Sequence, residues 1–103
     1  MFVRIASPGT DLSDTEHDRI EQDLLKLERR LPNRELEAKV RISEGEGGIG
    51  YRVVIELDYG RNHLIAKSDQ ADVGQAVREA REDLLRQIND RSRRGHSSFA
   101  KRT

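Results

Sequence analysis

The sequence predicts an α+β fold, a two-layer sandwich in which two helices cover one face of a four-stranded sheet, in the order β-α-β-β-β-α. Three central segments alternate apolar and polar residues with period two, which indicates strands that have one buried face. Two further segments, one before and one after these strands, repeat apolar residues at helical spacing. A sheet with one apolar face and two helices with one apolar stripe each bury these surfaces by stacking as two layers.

The first strand and the first helix are predicted within residues 1–33. Residues 2–6 alternate apolar and polar side chains, and Pro8-Gly9 ends this short strand. Ser13 and Glu16 have the spacing of a capping box, in which each side chain accepts a hydrogen bond from the other residue's backbone. The helix that follows carries one apolar stripe, and Pro32-Asn33 ends it. The stripe consists of Ile20, Leu24, Leu27 and Leu31.

The other three strands are predicted at residues 35–44, 51–59 and 63–68, joined by a glycine-rich segment and a tight turn. Their inward residues are Leu36, Ala38, Val40, Ile42, Val53, Ile55, Leu57, Leu64 and Ala66. The glycine-rich segment, residues 45–50, joins two strands and has no Lys-Ser or Lys-Thr after it. It is therefore a flexible hairpin connection rather than a phosphate-binding loop.

The second helix is predicted to begin after residue 72. Its apolar stripe consists of Val73, Ala76, Val77, Ala80, Leu84 and Ile88. The helical periodicity is lost after about residue 91. We therefore expect one α/β domain over residues 1–91, followed by a basic, flexible tail over residues 92–103.

The composition argues against several classes of protein. The chain has 103 residues, which suits one domain, and it has no cysteine, which excludes disulfides and thiolate zinc sites. The sequence contains neither an apolar segment long enough to cross a membrane nor a signal peptide. His17, His63 and His96 lack metal-ligand spacing, and no nucleophile is paired with a base. We expect a cytoplasmic protein that is not an enzyme and uses no metal, cofactor or small-molecule substrate.

The charge is distributed unevenly along the chain although the net charge is zero. Residues 1–85 contain 13 Lys and Arg against 18 Asp and Glu, a net charge of −5. Residues 86–103 contain six Lys and Arg against one acid, a net charge of +5. A basic end on an acidic body indicates a contact arm for phosphate backbones, or else a tail that keeps the chain in solution.

Basic residues on the two helices are the candidate binding residues. They lie off the apolar stripes or beyond the second helix, and side-by-side helices would join them into one cationic surface that binds phosphates. These residues are Lys26, Arg29, Arg30, Arg78, Arg81, Arg86, Arg91, Arg93 and Arg94. For Arg78 and Arg81, pairing with nearby helix acids such as Glu82 is an equally good explanation.

Short motifs between residues 2 and 91 resemble, in their order and spacing, those of one family. They are Leu24-Leu-Lys-Leu-Glu28, Val53-Val-Ile-Glu-Leu57, His63-Leu-Ile-Ala66, Asp72-Val-Gly-Gln-Ala-Val77 and Leu84-Leu-Arg-Gln-Ile88. The chain resembles the short ribosome hibernation factors, a family of translation inhibitors also described as modulators of an alternative sigma factor. The sequence differs from the family pattern at Arg78, where an Asp is usual, and at Asn89 and Asp90, where lysines are usual.

The resemblance implies a protein that binds 16S rRNA in the cleft of the small ribosomal subunit. There it would block mRNA and tRNA and keep ribosomes inactive during stress or stationary phase, with the helix cations as the RNA-binding residues. It also implies a monomer, because the chain lacks the C-terminal domain with which long members pair ribosomes. The layout is similar to that of double-stranded-RNA-binding domains as well. The alternative is a diverged protein-binding regulatory module with the same fold, which the acidic residues 1–85 favour.

Overall fold

The computed structural model describes residues 1–31 and 35–101, with side chains described up to residue 91. The elements are β1 (Phe2–Ala6), α1 (Asp14–Arg30), β2 (Leu36–Glu44), β3 (Tyr51–Tyr59), β4 (Asn62–Gln70) and α2 (Val73–Lys101). The predicted order β-α-β-β-β-α is confirmed. Pro32 and Asn33, which were predicted to end the first helix, lie outside the described residues. The side chains of residues 92–103 also lie outside them, and the domain boundary at residue 91 stays a prediction.

The four strands form one mixed sheet in the order β1-β2-β3-β4. β1 pairs with β2 in parallel, and α1 makes the crossover between them, whereas β2, β3 and β4 pair antiparallel as two successive hairpins. The register brings inward residues of all four strands into one row, which consists of Ile5, Val40, Ile55 and Ala66.

The core lies between the inward face of this sheet and the two helices. Every strand residue predicted to face inward on β2, β3 and β4 is buried, and the helices contribute Ile20, Leu24, Leu27 and the whole predicted stripe of α2. Leu31, the last residue of the α1 stripe, packs against the edge of the core and is half-buried. No described helix, in residues 1–31 or 35–101, has an apolar stretch that could cross a membrane.

Side-chain caps fix where both helices begin. At α1 the predicted capping box is present, since the Ser13 hydroxyl accepts from the Glu16 amide and the Ser13 amide donates to the Glu16 carboxylate, both at 3.1 Å. At α2 the carboxylate of Asp72 accepts from the Gln75 amide at 3.1 Å, a cap that the sequence analysis did not identify.

The hairpins differ from the sequence prediction in two details. β4 begins one residue earlier and ends two residues later than predicted. The reason is that β3 offers it a pairing partner over its whole length, up to the pair of Tyr51 with Gln70. The glycine-rich segment contains a short 3₁₀ turn, Glu46–Gly48, and the Gly45 amide donates to the Gly50 carbonyl at 3.0 Å. Gly50 has a φ of 69°, and a Cβ there would lie 2.7 Å from the Gln70 carbonyl oxygen, so only glycine fits.

The first prediction concerns the apolar layer. Leu24 is fully buried in the core, whereas its neighbour Leu25 on the same helix is exposed. We expect Leu24→Ala to lower the free energy of unfolding by about 2–5 kcal/mol, because it removes buried methyl groups and leaves a cavity. Urea denaturation followed by circular dichroism measures the change. Leu25→Ala is the matched control, and an equal loss in both variants would contradict this description of the core.

Candidate nucleic-acid interface

The two helices run in the same direction, with their starts side by side and the end of α1 beside the middle of the longer α2. Asp72 and Gln75 line a groove with Glu16 at the helix starts, and the guanidinium of Arg30 donates to the Asn89 side chain (Nε to Oδ1, 3.1 Å). The parallel arrangement follows from the topology. α1 follows β1 and α2 follows β4, these two strands run in the same direction, and both helices return over the same face of the sheet.

Arg81 does not project into solvent as the sequence analysis expected. Its side chain is 5% exposed and lies between the helices, where its guanidinium pairs with the Asp23 carboxylate at 2.5 Å. The helical spacing contained a signal for this position. Arg81 lies four residues after Val77 and three before Leu84, so it falls within the apolar stripe rather than beside it. Arg81 therefore joins the helices through Asp23, and it also lies 3.7 Å from Glu82, the helix acid that the sequence offered as its partner.

The other predicted helix cations with described side chains are exposed at the surface of the helix layer. Lys26 lies 3.8 Å from Asp23, and Arg86 lies 3.7 Å from Asp83, so each has a weak and solvated partner. Arg91 donates to the side chain of Asn62, 2.8 Å away, at the turn between β3 and β4. Arg29 and Arg78 form no ion pair with any described residue. The pairing of Arg78 with Glu82 that the sequence left open is therefore absent from the described side chains.

A further cation, Arg19, belongs to this surface and was missed by the sequence analysis. It lines the groove between the helix starts together with Arg78. Its spacing of seven residues from Lys26 was the signal that both lie on the same side of α1. We call the exposed cations of the helix layer the helix face. It consists of Arg19, Lys26, Arg29, Arg30, Arg78, Arg86 and Arg91; Arg93 and Arg94 lie outside the described side chains.

Charge on the helix layer is graded from the helix starts to the helix ends. Asp14, Glu16 and Asp72 lie on or before the first turns, where Arg19 and Arg78 share their groove, and the basic residues Arg29 and Arg30 occupy the last turn of α1. This grading suits the helix dipoles, which favour acids at N-termini and bases at C-termini. Because the helices are parallel, the basic end of α1 lies beside the middle of α2, where Arg30 contacts Asn89.

The chain is similar in sequence and in fold to known proteins. The family model described as "Sigma 54 modulation protein / S30EA ribosomal protein" matches residues 3–96, nearly the whole chain. The chain belongs to this family. The resemblance drawn from the sequence motifs is thus confirmed, and membership places the chain among ribosome-associated modulation proteins. No curated protein sequence matches the chain significantly.

Solved structures of similar fold agree with the family assignment. The N-terminal domain of Protein Y from Thermus thermophilus is 25% identical, with a TM-score of 0.76, and the match covers 85% of this chain and 96% of that domain. A ribosomal subunit interface protein from Coxiella burnetii has a TM-score of 0.78, with 89% of this chain and 98% of that one covered. Its identity of 13% shows the fold alone.

The family model extends across both helices of the sandwich and therefore contains the whole helix face. Among the described side chains, those of residues 1–31 and 35–91, no group of three or more His, Asp and Glu residues is arranged to hold a metal ion. The helix face exposes guanidinium and ammonium groups. Such groups bind phosphate oxygens through charge-assisted hydrogen bonds.

The second prediction concerns the bridge between the helices. Asp23→Ala removes the partner that Arg81 has between the helices and leaves it only the exposed Glu82, 3.7 Å away, so we expect the free energy of unfolding to fall by about 1–3 kcal/mol. Asp83→Ala removes two partly exposed contacts, the 3.7 Å ion pair with Arg86 and a 3.3 Å hydrogen bond from Gln87, and here the expected loss is below about 1 kcal/mol. Urea denaturation of both variants makes the comparison. Losses of the same size would show that the Asp23–Arg81 pair does not hold the helices together.

Proposed function

We propose that this protein binds the 16S rRNA of the small ribosomal subunit and inhibits translation by occupying the cleft where mRNA and tRNA bind. It would act in the cytoplasm, as a monomer, under stress or in stationary phase. The observation that carries the proposal is the match of the family model over residues 3–96. The ribosomal names of the two structural neighbours agree with it, at 25% identity in one case and through the fold alone in the other.

The helix face supplies the chemistry for such binding. Its arginines remain charged at every physiological pH, and a guanidinium donates two parallel hydrogen bonds to one phosphate. Contacts of this kind recognise the backbone and the shape of RNA and carry no sequence information directly. The grading of charge orients the molecule, because the basic helix ends are attracted to rRNA while the acidic helix starts are repelled.

The bridge between Asp23 and Arg81 supports this role indirectly. The pair neutralises a carboxylate that would otherwise oppose phosphate near the centre of the helix layer, and it holds α1 against α2. The exposed cations on the two helices are thereby kept at a fixed separation. A surface with fixed charges loses less conformational entropy on binding than one with mobile charges.

A protein-binding regulatory module with the same fold is the second candidate function. The acidic helix starts favour it, because Asp14, Glu16 and Asp72 suit a basic protein partner rather than RNA. The two candidates separate experimentally, because RNA binding depends on the helix face and binding of a basic protein depends on the acidic starts.

The third prediction tests the helix face in the triple variant Lys26→Glu, Arg29→Glu, Arg86→Glu. These residues are exposed and none of them forms the Arg81 bridge or the bonds to Asn89 and Asn62. We expect affinity for purified small subunits to fall about 10-fold or more at low salt, because three phosphate contacts are lost. Sucrose-gradient cosedimentation measures binding, and inhibition of translation in a cell-free system should fall in parallel.

The control has the same change in net charge on the opposite side of the molecule: Lys39→Glu, Arg41→Glu, Lys67→Glu. These three residues are exposed on β2 and β4. The control should lose less affinity for small subunits, and less inhibition of translation, than the helix-face variant. An equal loss in both triple variants would indicate that only net charge matters. Unchanged binding of the helix-face variant would overturn the proposed interface.

A further inference from the structure

The side of the sheet turned away from the helices is open to solvent among the described residues. We call it the sheet face. Its side chains alternate with the buried ones on all four strands, and the register arranges them in rows across the sheet. The charged members of these rows are Arg4, Glu37, Lys39, Arg41, Arg52, Glu56, Asp58, Lys67 and Asp69.

Most acids on the sheet face already have a partner. Asp69 pairs with Arg52 at 3.0 Å, and Asp58 is hydrogen-bonded to His63. Glu37 lies 3.9 Å from Arg4, which is a weak pair. Glu56 alone among these acids has no ion-pair partner in the described part of the chain.

Three cations on the same face remain uncompensated. Lys39, Arg41 and Lys67 form no ion pair with any described residue. Lys39 lies beside Arg4 in one row, and Arg41 and Lys67 flank Val54 in the next. Together with Arg4, whose partner Glu37 is 3.9 Å away, they place a band of four cations in two neighbouring rows of the sheet against two acids, Glu37 and Glu56. Several neighbouring positive charges favour a ligand that carries several negative charges. A single acidic side chain could pair with only one of these cations.

Apolar groups accompany this band. The aromatic ring of Phe2 is 58% exposed, and the guanidinium of Arg4 lies 5.3 Å from its centroid. Ile65 is 42% exposed and belongs to the same row as Lys39, while Val54 lies one row away on the neighbouring strand. Exposed aromatic and apolar side chains between cations suit a ligand that carries flat apolar groups and phosphates in alternation.

We infer that the sheet face binds single-stranded RNA without sequence preference. Bases would pack on Phe2 and on the Val54–Ile65 pair, and phosphates would contact Lys39, Arg41 and Lys67. A single strand fits better than a duplex, because the bases of a duplex are stacked inside and cannot reach a flat sheet. A nine-residue strand is about 30 Å long, which accommodates about four or five extended nucleotides. None of these residues belongs to the helix face, so the inference does not rest on the proposed function.

The test measures fluorescence anisotropy of a labelled 12-nucleotide oligouridine with the full chain, at several salt concentrations. The sheet-face variant Lys39→Gln, Arg41→Gln, Lys67→Gln should bind about 10-fold more weakly, and the slope of log affinity against log salt should fall by about 2. Phe2→Ser leaves the charge unchanged and should weaken binding about 5-fold through lost stacking. Circular dichroism and urea denaturation verify that each variant is folded.

The comparison variant is the helix-face variant Lys26→Gln, Arg29→Gln, Arg86→Gln, which removes the same charge and should weaken oligonucleotide binding less than the sheet-face variant does. Equal loss in the two glutamine variants, or loss only in the helix-face variant, would overturn the inference. Displacement of the oligonucleotide by a polyglutamate peptide of equal charge would overturn it as well. Because the sheet-face variant should still sediment with small subunits, failure of this inference and failure of the proposed function give different results.

Discussion

The single apolar layer between the sheet and the helices is the constraint on which the rest of the structure depends. The chain has few apolar residues, 34% of its length, and most of the large ones belong to this layer. The strands can therefore bury only one face, and each helix only one stripe, so the two outer surfaces must be polar. Because the sequence contains so few apolar residues, the outer surface of the helices and the outer surface of the sheet are both charged.

The same layer fixes the direction of the helices and thereby the distribution of charge. A parallel pairing of β1 with β2 requires α1 as a crossover, and the β-hairpins then return α2 over the same face in the same direction. The starts of the two helices consequently lie side by side, and the basic end of α1 lies beside the middle of α2. The zero net charge hides this polarity, which appears only when the two helices are placed side by side.

Periodicity was sufficient to predict the elements and the core, because each buried residue of the strands and helices obeys the period of its element. Contacts between elements were harder to predict. Arg81 was expected at the surface on account of its charge, although its spacing placed it in the apolar stripe, and only the packing of α1 on α2 shows that Asp23 compensates it. Arg19 escaped notice because the groove that it shares with Arg78 is formed by two helices distant in sequence.

Family membership and the helix face together lead to one central claim, that this chain binds the small ribosomal subunit through phosphate contacts. Cosedimentation of the unchanged protein with purified small subunits, over a series of salt concentrations, tests that claim most directly. If phosphate contacts hold the protein on the subunit, it co-migrates with small subunits at low salt. The logarithm of its affinity then falls linearly with the logarithm of the salt concentration, with a slope that corresponds to several released counterions. Absence from the ribosomal fractions at the lowest salt, or binding that does not respond to salt, would contradict it.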